Sequence, residues 1–442
     1  KAAEWSMVFI ASKSSSKASS FNITEGTSVW REPEGNVSRF CRFHNLCYSN
    51  KFKEYIFING ATSVQYGVSP EKGILKDVAL LTAVWRRMAL DVYVVDLETV
   101  RRHHMREFIE RKQGNYLLFY QTVPGNIGHK FHDSLLPLYN TLKKRQELLP
   151  NPGRTLVILY PHERYDRHME LYDFLSAEKP ILTSHFKFEP DESLICFEDV
   201  LVGLSNDTVW YQYGEGVPEG PVESTQVTAT DIRDFNAYFT DRLGLQIDCR
   251  TGKRYGVLIS RKKTRRILNE KELLVAAAED LHIDMVEVSL EENTVSSIIE
   301  KISCAELLIG VHGALVILAM FLKANTVLLE VYPYALNTEL YTDYKTVVEL
   351  PGMEIEYLAW RNFNLSNTVT HGFEYLIPQD ISGGQTISKE EQERILKSSE
   401  VPPVQCCHNI ELQFRRRQDT IVDIPAIISL LKTTNWYKKG TK

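Results

Sequence analysis

The stretch Ala305–Leu322, AELLIGVHGALVILAMFL, carries the strongest fold signal in the chain. Its pattern predicts a short buried strand, a tight turn at His312 and Gly313, and then an apolar helix. Glycine lets a ligand approach the backbone closely, and a helix N-terminus presents free N–H groups with a positive partial charge. The turn therefore predicts a diphosphate site, although a lone histidine in such a turn is more often structural.

Two further strand ends in the same half of the chain carry residues suited to a nucleotide. Arg261 and Arg265 follow the strand predicted at Tyr255–Ile259, and on a helix their spacing would place both on one face. Planar guanidinium groups bind a diphosphate through paired hydrogen bonds. Glu330, at the end of another strand, could accept hydrogen bonds from ribose hydroxyls. The alternatives are a basic surface turn for the arginines and an ion pair for Glu330.

Strand and helix patterns alternate along the chain, which predicts βαβ units and mainly parallel sheets in two α/β halves. We expect a flexible leader at residues 1–38, an acceptor-side Rossmann-like domain at 39–245, a nucleotide-binding Rossmann-like domain at 253–405, and a segment at 406–442 whose helix crosses back. Two such domains facing a cleft are typical of the GT-B architecture, with ligands at the carboxyl ends of the strands.

The composition is that of a soluble globular protein of two domains, because the 442 residues are 43% hydrophobic and 24% charged. A net charge of −6 gives no sign of a nucleic-acid partner. The arginines at 415–417 and the C-terminal lysines predict a solvated helix face and tail. No apolar run is long enough to cross a membrane, so an anchor is expected upstream of Lys1 if the protein has one.

One cluster in the first half carries side chains suited to catalysis, namely Asn126, His129, His132 and Asp133 at the start of a predicted helix. An imidazole or a carboxylate here could act as general base toward a hydroxyl that enters from the cleft. The same residues suit a metal ion, because two histidines and an aspartate are common ligands. A helix cap is the third alternative, since a carboxylate in a first turn is favourable on dipole grounds alone.

The seven cysteines leave the disulfide pairing open. Cys41 and Cys47 could close a small loop, or either could pair with Cys406 or Cys407. An odd number leaves at least one thiol free or intermolecular. No zinc-ligand spacing is present.

Sequence motifs also bear on metal use and on the compartment. The chain lacks an Asp-x-Asp triplet, so we expect Arg261, Arg265 and a helix N-terminus to neutralise a leaving diphosphate without a metal. It also lacks a Walker A loop, a Gly-x-Ser-x-Gly elbow and a GxGxxG fingerprint. Sequons that predict N-glycosylation, and weakly favour a secretory-pathway lumen, occur at Asn22, Asn36, Asn206 and Asn364.

Ordered blocks along nearly the whole chain resemble glycosyltransferase family 61. The blocks are Cys41–Phe43, Leu46–Asn50, Phe131–Asp133, Leu135–Pro137, Trp210–Gly214, Ser260-Arg261, Ile267–Glu270, Pro351–Met353, Ala359–Asn362, Asn367–His371 and Cys406-Cys407. The family also includes the EGF-domain O-GlcNAc transferase and plant xylosyl- and arabinosyltransferases. Compared with the family member that it resembles, this chain has Cys249 and Cys304 as extra cysteines and stops at Lys442 without a fibronectin type III domain.

The resemblance implies a GT-B enzyme of the endoplasmic-reticulum lumen, held as a type II membrane protein by an N-terminal signal anchor, with a homodimer as one option. It would transfer GlcNAc from UDP-GlcNAc, with inversion, to the 4-hydroxyl of O-linked mannose on a glycoprotein of the α-dystroglycan type. The alternatives are a family 61 transferase with another donor or acceptor, such as xylose or an EGF-domain hydroxyl, and a homologue that binds glycans or partners without catalysis.

These considerations assign a role to each candidate residue. We expect Asp133 or His132 to deprotonate the acceptor hydroxyl. The predicted donor site comprises Arg261, Arg265, Asn269, His312, Gly313 and Glu330, and the predicted acceptor site comprises Asn126, Trp360 and Arg361. We expect neither a metal ion nor another cofactor beside the UDP-GlcNAc substrate.

Overall fold

The computed structural model describes residues 26–32, 39–50, 53–84, 88–103, 109–149, 153–159, 168–183, 186, 194–214, 218–247, 249, 254–376, 387–403 and 409–440. These residues form two α/β halves, each built on its own sheet. The mixed α/β class is as predicted.

The first sheet has ten strands: β1 (Ser28–Arg31), β2 (Cys41–Ser49), β3 (Glu54–Asn59), β4 (Gln65–Tyr66), β5 (Ile74–Leu75), β6 (Val92–Asp96), β7 (Ile109–Tyr120), β8 (Thr155–Leu159), β9 (Ile181–Leu182) and β10 (Leu194–Val202). Their order is β5-β6-β3-β2-β10-β7-β8-β9, with β1 between β2 and β4. Strand β2 is antiparallel to β1, β3 and β10. The sheet is therefore mixed, with five parallel and four antiparallel pairs among the described residues. The short link between β2 and β3 accounts for the antiparallel pairing of those two strands.

Strand β1 lies inside the leader that was predicted for residues 1–38. It pairs with β2, and its Val29 is fully buried. Ordered structure therefore begins before residue 39, and the predicted leader extends too far. Residues 1–25 and 33–38 lie outside the described part of the chain.

Four helices accompany the first sheet: α1 (Leu97–His103), α2 (Ile127–His129), α3 (Leu136–Lys144) and α4 (Ala229–Arg242). A π-helical segment, Lys130–Leu135, joins α2 to α3, so one continuous helix runs from Ile127 to Lys144. A 3-10 helix follows at Met169–Leu175, and a hairpin is formed by β11 (Tyr211–Gln212) and β12 (Gly220–Pro221). Wide π-helical turns are frequent at functional sites, and this one carries His132 and Asp133.

The second sheet has five strands: β13 (Tyr255–Ile259), β14 (Asp284–Val288), β15 (Leu307–Val311), β16 (Thr326–Tyr332) and β17 (Ile355–Arg361). All pairs are parallel, in the order β14-β13-β15-β16-β17. The chain reverses its direction of winding between β13 and β15, and such a switch point is where doubly wound sheets bind ligands. The loop after Ile259 and the turn at His312 both lie there.

The remaining elements of the second half are α5 (Glu270–Leu281), α6 (Val295–Cys304), the 3-10 helix Ala314–Phe321, α7 (Asp343–Val348), two 3-10 turns (Leu365–Asn367 and Phe373–Tyr375), β18 (Thr368–Val369), α8 (Lys389–Lys397), α9 (Ile410–Arg416), β19 (Asp419–Thr420), α10 (Ile424–Lys432) and α11 (Asn435–Gly440). Helix α10 was predicted to cross back to the first half. It packs instead on α5 and β17, with Ile427 and Leu431 in the apolar core of the second sheet.

Helix α4 is the element that joins the halves. It begins at a capping box in which Thr228 accepts from the Asp231 backbone N–H. It packs on α3, and Asn236 Nδ2 donates to Met320 O at 2.6 Å in the second half. Arg233 Nη2 donates to Met353 O at 2.8 Å.

The structure contains two disulfides among the described residues. Cys47 pairs with Cys196, its direct partner across β2 and β10, and Cys249 pairs with Cys304. The predicted Cys41–Cys47 loop is wrong, because six residues of one extended strand span about 20 Å. Cys41 is a buried free thiol whose Sγ lies 3.1 Å from Val78 O, while Cys406 and Cys407 lie outside the described residues.

In the described part of the chain, no helix combines the length and the apolar character needed to span a membrane.

Candidate active site

The two predicted site segments, at His129–Asp133 and at His312–Gly313, lie side by side where the halves meet. Gly128 packs so closely on Ala314 that an added Cβ would lie 3.4 Å from the Ala314 Cα. Because Gly128 precedes His129 and Ala314 follows Gly313, this contact places the histidine–aspartate cluster beside the glycine turn.

Asp133 is the centre of the histidine–aspartate cluster. Its Oδ2 lies 2.7 Å from His129 Nδ1, and its Oδ1 lies 2.6 Å from His132 Nδ1. Burial raises the pKa of Asp133, but the charge of His129 and the hydrogen bonds from both imidazoles outweigh this and hold the pKa below its usual value. With both oxygens engaged and only 3% of the residue exposed, Asp133 orients the two rings rather than contacting a substrate.

His132 is held from both sides. Its Nε2 accepts from the backbone N–H groups of Trp210 and Tyr211, each at 3.3 Å, and its ring packs on the Trp210 ring at 4.3 Å. Since Nδ1 faces Asp133, neither nitrogen is available to a substrate or a metal ion. The prediction of His132 as general base is therefore wrong, and the metal alternative loses one of its ligands.

The hydrogen bond of His129 to Asp133 selects the tautomer that a general base needs. The His129 Nδ1–H donates to Asp133, so a neutral ring carries its lone pair on Nε2. The side chain is 12% exposed and packs on the Tyr213 ring at 4.5 Å. Asn126 Oδ1 accepts from the backbone N–H groups of Gly128 and His129, which makes Asn126 the helix cap rather than an acceptor ligand.

Four arginines from two distant segments converge beside the turn. Burial lowers the pKa of Arg265 far below its usual value, and the charges of Arg261, Arg416 and Arg417 lower it further. Burial also lowers the pKa of Arg261, where the charge of Glu291 opposes and the charges of Arg416 and Arg417 add to the effect. Like charges gathered in this way repel one another unless an anion lies among them, so the cluster is suited to a diphosphate.

Arg265 reaches the turn because residue 313 is glycine. A Cβ on Gly313 would lie 2.3 Å from Arg265 Nη1, which itself lies 3.5 Å from His312 O. Arg265 has a left-handed backbone with φ of 60°, so it does not share a helix face with Arg261 as the spacing had predicted. Its Nε is buried and has no hydrogen-bond partner among the described residues.

The side chain of Glu330 orients the His312 ring. His312 Nδ1 lies 2.7 Å from Glu330 Oε1, and Glu330 Oε2 accepts from Tyr357 OH at 2.8 Å. Burial raises the pKa of Glu330 to about 8 and lowers that of His312 to about 4, so both groups favour their uncharged forms. A Glu330 O–H then donates to Nδ1 and leaves an N–H on Nε2 of His312. Glu330 is fully buried, so the prediction that it contacts ribose is wrong.

Two carboxylates that the sequence analysis missed, Glu219 and Asp343, lie close to the site residues. Burial and the charge of Asp343 raise the pKa of Glu219 to about 7, although the charges of Arg416 and His129 act in the opposite direction. Burial likewise raises the pKa of Asp343, whose Oδ1 is buried without a partner among the described residues. Trp210 Nε1 donates to Asp343 O at 2.9 Å and so ties α7 to the first half.

Three remaining candidates have other partners in the structure. Asn269 lies at the N-cap position of α5, and its side chain binds the backbone of Val422 through both amide atoms. Trp360 packs against the apolar core of the second sheet. Arg361 Nη2 lies 3.2 Å from Glu400, and its guanidinium stacks over an exposed phenylalanine. The structure gives none of them the predicted role.

The arginines of α9 were misjudged as a solvated face. Arg415 is fully buried and donates to three backbone carbonyls, at Ile395, Leu396 and Ser398. Arg416 lies close enough to Arg261 and Arg265 for its charge to lower their pKa values. A run of three arginines directly before the buried strand β19 was the signal that could have indicated an internal position.

Comparisons with known proteins place the chain in a family. Residues 127–329 match the family model described as glycosyltransferase 61. The relatives from Homo sapiens and Mus musculus, each named protein O-linked-mannose beta-1,4-N-acetylglucosaminyltransferase 2, are 36% identical over 415 residues, which cover 90% of this chain and 67% of the relative. The Xenopus laevis protein of the same name is 33% identical over 95% of this chain and 71% of its own length. The chain belongs to glycosyltransferase family 61, as its motifs predicted.

Among solved structures, the E. coli heptosyltransferase WaaC with ADP aligns with 57% of this chain and 91% of its own. The identity is 10% and the TM-score is 0.26.

Proposed function

We propose that this chain is an inverting glycosyltransferase of the GT-B type that moves GlcNAc from UDP-GlcNAc to the 4-hydroxyl of O-linked mannose on a glycoprotein. The names of the relatives support the transferred sugar and the acceptor. The arginine cluster at the switch point supports a nucleotide-diphosphate donor, and it is the observation that carries the proposal. Two α/β halves that meet at the site support the GT-B arrangement.

His129 is the proposed general base. Its Nε2 takes the proton of the mannose 4-hydroxyl while Asp133 holds Nδ1–H and stabilises the imidazolium that forms. The freed electron pair on O4 forms the bond to C1 of GlcNAc, and the bond from C1 to the UDP oxygen breaks with its electrons passing to UDP. A single displacement of this kind inverts the configuration at C1.

The leaving diphosphate is the proposed ligand of the arginine cluster. Arg261, Arg265 and Arg416 stabilise the charge that grows on the β-phosphate, and the Nε2–H of His312 is a further donor beside them. We propose that these side chains neutralise the leaving group without a metal ion.

The proposed compartment is the lumen of the endoplasmic reticulum. Two disulfides support an oxidising compartment. Asn206 and Asn364 are exposed and accessible for N-glycosylation, whereas Asn22 and Asn36 lie outside the described residues. A type II anchor, a homodimer and an acceptor of the α-dystroglycan type stay predictions.

The donor site is tested by UDP affinity. Arg265→Ala and Arg416→Ala should each weaken UDP binding by about 10- to 100-fold, because each removes a charge-assisted contact worth about 1.5–3 kcal/mol. Arg242→Ala, at the solvent-exposed end of α4, is the matched control and should bind UDP as the parent does. Unchanged affinity in both site variants would remove the donor site from the proposal.

The reaction is tested by transfer from a panel of UDP-sugars to an O-mannosyl peptide, with EDTA and with manganese. GlcNAc transfer that survives EDTA is the expected result. Transfer of another sugar, or to an EGF-domain hydroxyl, would identify a different family 61 activity. Activity that EDTA abolishes and manganese restores would contradict the metal-free displacement.

A further inference from the structure

A cavity of about 590 Å³ opens on the first sheet beside β1 and β4. Its walls include Trp30, Tyr66, Arg42, Arg145 and Asp199. The volume is within the range of about 300–1,000 Å³ that small-molecule sites occupy. None of these residues belongs to the candidate active site.

The cavity lies at the far end of the helix that carries the histidine–aspartate cluster. Arg145 is the C-cap of α3, and Asp133 lies near the start of the same continuous helix. Twelve residues at about 1.5 Å each place the two roughly 18 Å apart along the helix axis. A ligand here would not compete with one at His129.

Two exposed aromatic rings form one wall. Trp30 and Tyr66 are 41% and 62% exposed. They are register partners on the parallel strands β1 and β4, so their side chains project from the same face of the sheet. Arg42 continues this row as the partner of Trp30 on β2. Tryptophan and tyrosine are enriched at binding interfaces, because each combines an apolar ring face with a polar N–H or O–H group.

Paired charges form the other wall. Arg42 Nε donates to Asp199 Oδ2 at 2.7 Å, and Arg154 Nη1 donates to the other oxygen of Asp199 at 2.6 Å. Arg145 pairs with Glu32. An anionic ligand would have to compete with these carboxylates, and an apolar side chain would strip water from the ion pairs at a cost.

We propose that this cavity binds a neutral sugar ring of a glycan. A pyranose has a C–H face that packs on Trp30 and Tyr66, and hydroxyls that donate to a carboxylate and accept from a guanidinium N–H at the same time. It is the ligand class that satisfies both walls. The inference does not rest on the transfer reaction; for a glycosyltransferase, the cavity would hold a second sugar of the glycoprotein acceptor and raise its effective concentration.

The test is sugar binding measured by saturation-transfer NMR, with mannotriose and chitotriose as probes and no nucleotide present. We expect at least one probe to receive saturation from the parent protein, and Trp30→Ala to weaken its binding by about tenfold or more. Tyr93→Ala is the matched control, because Tyr93 is 42% exposed on β6 of the same sheet and away from the cavity. Trp30→Phe, which keeps an aromatic face, should retain most of the binding and shows that loss in the alanine variant is not unfolding.

Three results would overturn the proposal. These are the absence of binding by both probes, equal binding by the parent and Trp30→Ala, and tighter binding of an unglycosylated peptide that Trp30→Ala abolishes. The last result would make the cavity a polypeptide-docking site. Because the measurement needs neither a donor nor turnover, its failure would leave the proposed transferase reaction untouched, and a failed transfer assay would leave this proposal untouched.

Discussion

Replacing Glu219 with glutamine should remove a loss of stability that the parent protein suffers as the pH rises. Burial and the neighbouring Asp343 raise the pKa of Glu219 from 4.5 to about 7 in the folded protein. Between these values the unfolded chain ionises before the folded one does, so the free energy of unfolding falls as the pH rises through this window. Above about pH 7 the loss is complete. Glutamine does not ionise, and it keeps an oxygen that can accept from Tyr211 OH.

The size of the effect follows from the two pKa values. Their difference corresponds to roughly 3.5 kcal/mol, since each pH unit is worth about 1.4 kcal/mol. The side chain is partly exposed, and screening by solvent reduces this to about 1–2 kcal/mol.

Urea unfolding at pH 5 and pH 8 measures the prediction. We expect Glu219→Gln to gain about 1–2 kcal/mol over the parent at pH 8 relative to pH 5. The exposed Glu223→Gln should show the parent's pH dependence. If Glu219→Gln also keeps the parent's pH dependence, Glu219 ionises normally and does not lie in a low-dielectric space between Arg416 and His129. That result would refute the convergence of both clusters on one site.

Three further predictions test the individual clusters. Asp133→Asn should lower kcat by about 10²- to 10⁴-fold with unchanged UDP affinity, because an amide no longer fixes the His129 tautomer; near-normal turnover would reject the base assignment. Glu330→Gln should leave the free energy of unfolding at pH 7 nearly unchanged, whereas Glu330→Ala should lower it by about 2–4 kcal/mol. A large loss of stability in the glutamine variant, measured by thermal unfolding, would show that Glu330 is ionised in the parent protein. Gly313→Ala should weaken UDP binding, measured by calorimetry, because the added methyl group displaces Arg265. The circular dichroism spectrum should not change. Wild-type affinity for UDP would show that the close contact between Gly313 and Arg265 is unimportant.

The second sheet was predictable because its signals are local. Strands β13, β15 and β16 are apolar runs of strand length, and the glycine turn after β15 is contiguous in sequence. Parallel strands buried on both faces read as unbroken hydrophobic segments, so the direction and carboxyl ends of these three strands could be inferred without knowing what lies beside them. Strand β17, most of whose residues are only half-buried, was not predicted.

The first sheet resisted prediction because its pairings are not local. Strand β10 lies between β2 and β7, and the Cys47–Cys196 bond joins residues separated by 149 positions. No periodicity encodes such a partner. The strand β1 was hidden for a related reason, since its short sequence SVWR lies in a stretch whose composition indicates disorder.

The assignment of the base shows the same limit within the site. The sequence identified two histidines and an aspartate, and Asp133 contacts both rings at nearly equal distances. What separates the histidines is the backbone at Trp210 and Tyr211, whose N–H groups donate to Nε2 of His132, whereas no described residue donates to Nε2 of His129. Whether a histidine of this cluster can act as a base therefore depends on whether a distant segment of backbone donates to its Nε2. The sequence does not encode that contact, because it depends on how the chain packs.

An inverting displacement requires its base and its leaving group on opposite sides of the anomeric carbon. In the proposed displacement the first half supplies His129 and the second half supplies the arginines, so neither half could perform the reaction alone. Their relative position is set where Gly128 meets Ala314 and where α4 donates to the backbone of the second half. The same contacts that stabilise the packing of the halves therefore define the space in which a sugar could react.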